Sequence, residues 1–197
     1  TGPLAGIRIL DLTAVVLGPL ATQILGDYGA DIIKVEPLAG DLMRANGVSR
    51  HAGMSSVFLS LNRNKRSVTL DLSSDEGRSA ARRLALTSDV VVENFRPGLM
   101  ERFGPDHGSL AAEHPGLVYC SLTAFGAGEG AARPGYDIIV QALSGLMSFT
   151  GHPGGEPTKV GVALLDVVCG LYASNAIQAA LIGRIDMNEL IAQVDLN

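Results

Sequence analysis

The run Val160-Gly161-Val162-Ala163-Leu164-Leu165-Asp166-Val167-Val168-Cys169 is apolar except for one carboxylate. Aspartate is rarely buried without a partner. Asp166 is therefore either the N-terminal cap of a following helix or a functional group, and the two readings are compatible. A carboxylate at a helix N-terminus is stabilised as the anion, and a carboxylate nucleophile has to be an anion. A second carboxylate, Asp137, follows the turn Arg133-Pro134-Gly135-Tyr136 and reads as the N-cap of the helix it opens. Asn94-Phe95-Arg96-Pro97-Gly98 follows an apolar run of strand character. Ligands bind outside the carboxyl ends of parallel strands, and a loop turning into a helix is the plainer alternative. Asn62-Arg63-Asn64-Lys65-Arg66 is the densest basic patch. Three cations in five residues suit phosphate groups or, equally, a solvated turn.

Other chemistries are excluded by what the motifs lack. The first strand-to-helix turn, Ala14-Val15-Val16-Leu17-Gly18-Pro19, has no G-x-G-x-x-G, and its bulky side chains would keep a pyrophosphate from the backbone. There is no P-loop and no G-x-S-x-G. His51, His107, His114 and His152 stand apart from one another and from the two cysteines, so no metal site is expected. Cys120 and Cys169 lie in apolar contexts, which suits a reducing compartment rather than a disulfide scaffold.

These residues need elements to hold them. The chain has 197 residues, enough for one domain with a sizeable core. Hydrophobic residues make up 47% and charged residues 18%, ordinary globular values that argue against disorder. The formal net charge of −5, with no long basic run, argues against nucleic-acid binding in general. Every long apolar run is interrupted before the roughly 20 residues that span a bilayer, and Thr1-Gly2-Pro3-Leu4 does not begin a signal peptide. A cytoplasmic protein without membrane contact is expected. Strands are predicted over 7–12, 31–36, 67–72, 89–93 and 117–123. Helices are predicted over 20–28, 74–86, 99–103, 106–113, 136–148 and 164–184, the last apolar enough to be buried. Strand–helix–strand with short connections gives an α/β fold: a Rossmann-like parallel sheet with helices on both faces. Residues 1–184 form that domain, and 185–197 is a tail without clear periodicity.

Taken together, six segments resemble the family III CoA-transferases, the CaiB/BaiF group that includes formyl-CoA transferase and the carnitine CoA-transferases, with the 2-methylacyl-CoA racemases as near relatives. The segments are GIRILDLT (6–13), GPLATQILGDYGADIIKVE (18–36), NRNKRSVTLDL (62–72), DVVVENFRPG (89–98), RPGYD with QALSGLMSFTG (133–151) and VGVALLDVVCGLYA (160–173). They occur in family order and correspond to the N-terminal part of chains about twice as long, which pair as interlocked rings. The resemblance implies an incomplete CoA-transferase domain, a homodimer, and acyl-CoA and a carboxylic acid as partners. No cofactor is implied beyond coenzyme A as substrate. It places Asp166 on the family's catalytic aspartate. Asn94, Phe95 and Arg96 fall on a loop that contacts CoA, and Arg102 falls near its phosphates. Val16 and Leu17, and Leu70, Asp71, Leu72 and Ser73, fall on further CoA contacts. Thr123, Ala124, Phe125 and Gly126 fall on the loop beside the pantetheine and the active carboxylate.

The sequence also departs from formyl-CoA transferase. Pro37, Val16 and Phe125 stand where that enzyme has arginine, glutamine and tyrosine, so formyl or oxalyl transfer is not implied. The racemases carry a histidine at the position of Tyr136. A tyrosine of pKa about 10 is a poor base at neutral pH beside a histidine of about 6.5, which favours transfer over racemisation. The implied chemistry is a mixed anhydride followed by an aspartyl-CoA thioester on Asp166. A racemase, and a fragment that binds CoA without turnover, are the competing expectations.

Overall fold

A computed structural model describes residues 2–126 and 128–184, and the backbone of 191–195. The elements in order are β1 (Arg8–Leu12), α1 (Leu17–Asp27), β2 (Asp31–Glu36), α2 (Ser56–Asn62), β3 (Lys65–Thr69), α3 (Asp75–Leu86), β4 (Val90–Glu93), α4 (Leu99–Phe103), α5 (His107–Ala111), β5 (Val118–Thr123), α6 (Asp137–Leu143), α7 (Leu164–Gly183) and β6 (Ile191–Asp195). Short 3-10 turns occupy Leu42–Ala45 and Leu146–Ser148. All strand pairs are parallel, in the order β3-β2-β1-β4-β5-β6. This is the doubly wound order that reverses direction between β1 and β4, and ligand crevices open at the carboxyl ends of strands at such a point.

The two faces follow from strand alternation. Ile9, Val90, Val92, Val118 and Cys120 point to one side and pack with Ala21 and Leu25 of α1 and with Cys169, Ala173 and Ile177 of α7. Leu10, Leu12, Val91 and Tyr119 point to the other, against Ala85, Met100 and Leu110. β1 and β4 are covered on both faces and therefore read as almost continuous apolar runs.

Several boundaries differ from the sequence expectation. α1 starts at Leu17 and takes Gly18-Pro19 into its first turn, where the missing proline N–H costs no helical bond. β3 begins at Lys65, two residues before the expected start, so the basic patch is partly strand. The helix expected over 136–148 stops at Leu143, because Gly145 adopts the left-handed conformation (φ 81°) before the 3-10 turn. α2 was not expected; Ser55 caps it by accepting from Phe58 N. α7 is not enclosed as its composition suggests. Its small residues Gly170, Ala173, Ser174 and Ala180 are buried, while Leu171, Tyr172 and Ile182 are exposed. It is also a 20-residue helix long and apolar enough to cross a membrane by length and composition, contrary to the sequence expectation, although one face packs on α1 and the sheet. β6 falls in the tail whose structure the sequence left open.

Candidate functional site

Asp166 lies in the first turn of α7, and its side chain does not cap that helix. The cap comes from α6: Asp137 Oδ1 accepts from Leu165 N (2.8 Å) and Asp166 N (3.1 Å). Asp137 Oδ2 accepts from Gln141 Nε2 (2.5 Å), and buried Gln141 also accepts from Val160 N (2.9 Å). The expectation that Asp137 caps its own helix is therefore corrected: it caps α7 from 28 residues upstream. One carboxylate does the structural work at the helix N-terminus, which leaves the other uncommitted. Among the described residues, the Asp166 carboxylate has no hydrogen-bond partner and lines a cavity of ≈ 220 Å³.

Burial, and secondarily the negative charge of Asp137, push the Asp166 carboxyl up to about 6. It is thus more basic than an ordinary carboxylate and still largely ionised at neutral pH. Cys169, one turn further along α7, is no rival nucleophile. Burial, and then Asp166, raise its thiol to about 11. A Cβ at Gly170 would sit 2.7 Å from Leu17 O, so only glycine lets α7 approach the start of α1 this closely. That crossing brings Asp166 and Leu17 to the same cavity.

The loop after β1 contributes Val15 to the lining. Thr13 O accepts from buried Lys34 Nζ (2.8 Å), and Thr13 N donates to Asp11 Oδ1 (2.9 Å). The Asn94 side chain bridges Ala14 as a neighbouring strand would: its Oδ1 accepts from Ala14 N (2.9 Å) and its Nδ2 donates to Ala14 O (2.8 Å). With residues 13 and 14 pinned, Val15 turns into the left-handed region (φ 72°). That conformation is costly for a β-branched residue and persists only where its surroundings enforce it.

The resemblance-derived residues separate into two cavities. Leu17, Asn94, Phe95, Arg96, Thr123, Ala124, Phe125 and Gly126 line the Asp166 cavity. Leu70, Asp71, Leu72 and Ser73 line a larger, mainly apolar cavity of ≈ 820 Å³ beside Leu12, Pro37 and Arg44. Phe95 belongs to both and forms the wall between them. Val16 lines neither; Val15 takes its place. Arg102 sits exposed on α4, outside both. Asn94 reaches the site but spends its amide on Ala14. The basic patch is largely solvated, as the turn reading expects: exposed Arg63 pairs with Asp27 and exposed Arg66 with Asp31, while of its cations only Lys65 has a buried side chain, against Asp11. Residues not singled out from the sequence as ligand contacts also line the Asp166 cavity, among them Val15, Arg133 and Tyr136.

Comparison with known proteins identifies the family. A family model described as CoA-transferase family III matches residues 4–195. The chain is 48% identical over 188 residues to the succinate–glutarate CoA-transferase of Agrobacterium fabrum, covering 91% of this chain and 47% of that protein. It is 43% identical to the human succinyl-CoA:glutarate CoA-transferase, covering 98% of this chain and 46% of that one. A crystal structure of a CaiB/BaiF family protein from Brucella suis superposes with a TM-score of 0.90 at 42% identity, covering 98% of this chain and 52% of the other. The chain spans about half the length of the curated relatives it matches. With the family model, the relatives and the fold in agreement, the chain belongs to CoA-transferase family III.

Proposed function

We propose that Asp166 is the nucleophile of a CoA transfer between an acyl-CoA and a carboxylic acid. The observation that carries this reading is the division of labour between Asp137 and Asp166. The first saturates the helix N-terminus, and the second is left facing a cavity with raised basicity. A carboxylate whose only role is capping would not be arranged in this way.

In the proposed sequence the Asp166 carboxylate attacks the donor thioester carbonyl, and CoA leaves as thiolate from a mixed anhydride. The thiolate attacks the aspartyl carbonyl of that anhydride, giving aspartyl-CoA thioester and the free donor carboxylate. The acceptor carboxylate then attacks the aspartyl thioester, again releasing CoA thiolate. Attack of that thiolate on the acceptor acyl carbonyl yields the new acyl-CoA and regenerates Asp166. Each exchange is split into steps with small barriers, because a carboxylate forms both anhydride and thioester. The larger cavity suits the nucleotide end of CoA, with the pantetheine arm passing Phe95 to reach Asp166. Relatives named for succinate, glutarate and mesaconate act on acids with two carboxylates, which favours a dicarboxylic substrate here as well.

The test is mass spectrometry after incubation with succinyl-CoA or glutaryl-CoA and hydroxylamine, beside Asp166→Ala. A hydroxamate at Asp166, absent from the variant, is expected. Transfer without any Asp166 adduct, or solvent deuterium entering the α-carbon of a branched acyl-CoA, would overturn the reading.

A further inference from the structure

Two arginines, Arg96 and Arg133, both exposed to solvent, are among the residues that line the Asp166 cavity. Among the described residues neither has a carboxylate within ion-pair distance. Seven other arginines of the chain are each paired with an acid. Arg50, Arg83 and Arg102 also lack an acid partner among the described residues, but they are exposed and line none of this cavity, so Arg96 and Arg133 are the two such arginines placed beside Asp166.

The two differ in placement. Arg96 stands where this cavity meets a third one, of ≈ 410 Å³, between the ends of β4 and β5. Arg133 belongs to the Asp166 cavity alone of the three. Its guanidinium lies 6.0 Å from the centre of the Phe125 ring, which lines the same cavity. An arginine resting against an aromatic face keeps the edge of its planar fork available for bidentate pairing with a carboxylate. Its backbone is fixed by a bond from Arg133 N to Gly130 O (2.9 Å). Four residues on, the same segment becomes α6 and supplies the Asp137 cap of α7, so Arg133 and Asp166 are tied through one short run of chain.

Charge decides what such an arginine would do. A dicarboxylic substrate brings a second negative charge into a cavity that already holds the Asp166 carboxylate. Without a cation opposite it, the second carboxylate is repelled and desolvated. We propose that Arg133 selects substrates bearing a second carboxylate, pairing with the distal carboxylate of a dicarboxylic acid whose near carboxyl group reacts at Asp166. The inference rests on the reading of Asp166 as nucleophile. The phosphates of CoA are the other anions that Arg133 could meet, and the test separates the two.

The experiment compares wild type, Arg133→Met and Arg133→Lys with glutarate and pentanoate as acceptors, five-carbon acids that differ in the second carboxylate. In Arg133→Met, kcat/KM for glutarate is expected to fall by about 10- to 100-fold, the worth of one charge-assisted pair, with partial recovery in Arg133→Lys. The value for pentanoate should change by less than about threefold. Equal losses on both acids would overturn the proposal. So would a loss that vanishes when the donor is a 3′-dephospho-acyl-CoA, since that assigns Arg133 to the phosphate. Calorimetric titration of glutarate into wild type and Arg133→Met gives a readout independent of turnover, and unaltered binding would also overturn it. If no acceptor is used and no hydroxamate forms, yet glutarate binding still depends on Arg133, the nucleophile reading fails while the carboxylate site stands.

Discussion

At the scale of single residues, the pair Asp137 and Asp166 sets the pH behaviour of the proposed reaction. Asp166 has to be ionised to attack, and its carboxyl is raised to about 6, first by burial and then by the charge of Asp137. The acid limb of a kcat/KM profile should therefore lie near that value in wild type. Asp137→Asn keeps an oxygen to accept from Leu165 N and Asp166 N but removes the charge. The acid limb should move to lower pH, by less than the full shift because burial remains. Asp137→Ala removes the cap as well and should lower both stability, by about 1 kcal/mol, and kcat. A profile unmoved in Asp137→Asn would mean that the two carboxylates do not interact. The sequence singled out Asp166 because one charge interrupted an apolar run. It misread Asp137 because capping rules are local, whereas the cap for α7 comes from another helix. Arg133 left no signal: an arginine in a Pro/Gly turn looks like any solvated residue until the turn folds against Asp166's cavity.

At the scale of elements, buried charges fix the strand ends that carry the site. Asp11 accepts from Thr13 Oγ1, Thr22 Oγ1 and Lys65 Nζ, and Lys65 also donates to Pro19 O and Asn62 Oδ1. Nearby, Lys34 pairs with Asp41 (2.8 Å), and Glu36 takes a two-point contact from Arg44. Burial alone would raise the Asp11 carboxyl, but Lys65 and then Lys34 outweigh it and hold it down at about 2. Its contribution to stability is thus present above the ordinary carboxylate range and is lost as pH falls towards 2. Lys65→Met removes one partner and leaves a buried carboxylate under-compensated. It should cost about 3–5 kcal/mol in urea unfolding, while Asp11→Asn/Lys65→Met should cost less than the single change. A loss in the double variant equal to the sum of the Lys65→Met and Asp11→Asn losses would mean that the pair has no coupling. The existence of the strands was legible because strands covered on both faces are written as apolar runs. The start of the edge strand β3 was not, since its Lys65 and Arg66 belong to ion pairs rather than to an alternating pattern. α2 was missed because seven residues hold too few turns to show a helical period.

At the scale of the whole molecule, the described residues leave an apolar surface on the side of α6 and α7. Leu171, Tyr172 and Ile182 on α7, Ile138 and Leu143 on α6, and Phe149 beyond it are all exposed, while the opposite face of α7 is packed with small residues against α1. A helix apolar all round belongs inside a protein, and its composition was read that way from the sequence. What the sequence could not show is that α1 and the sheet cover only one side of it. Apolar surface of this extent is uncommon on isolated monomers and drives association. The 197-residue chain on its own should therefore self-associate in a concentration-dependent manner, read as a rising weight-average mass by light scattering between micromolar and tens of micromolar. Leu171→Glu combined with Tyr172→Glu should suppress that rise with little change in thermal midpoint, because both side chains face outward and their replacement disturbs no packed contact. A constant monomer mass for the unsubstituted chain would mean that this face is too dispersed to act as a patch. Suppression accompanied by unfolding would place Leu171 and Tyr172 in the core, against their exposure of 47% and 63%. Association by this surface would also bear on the chemistry, since α7 carries Asp166 in its first turn and any partner laid along the helix ends beside the cavity where the proposed transfer takes place.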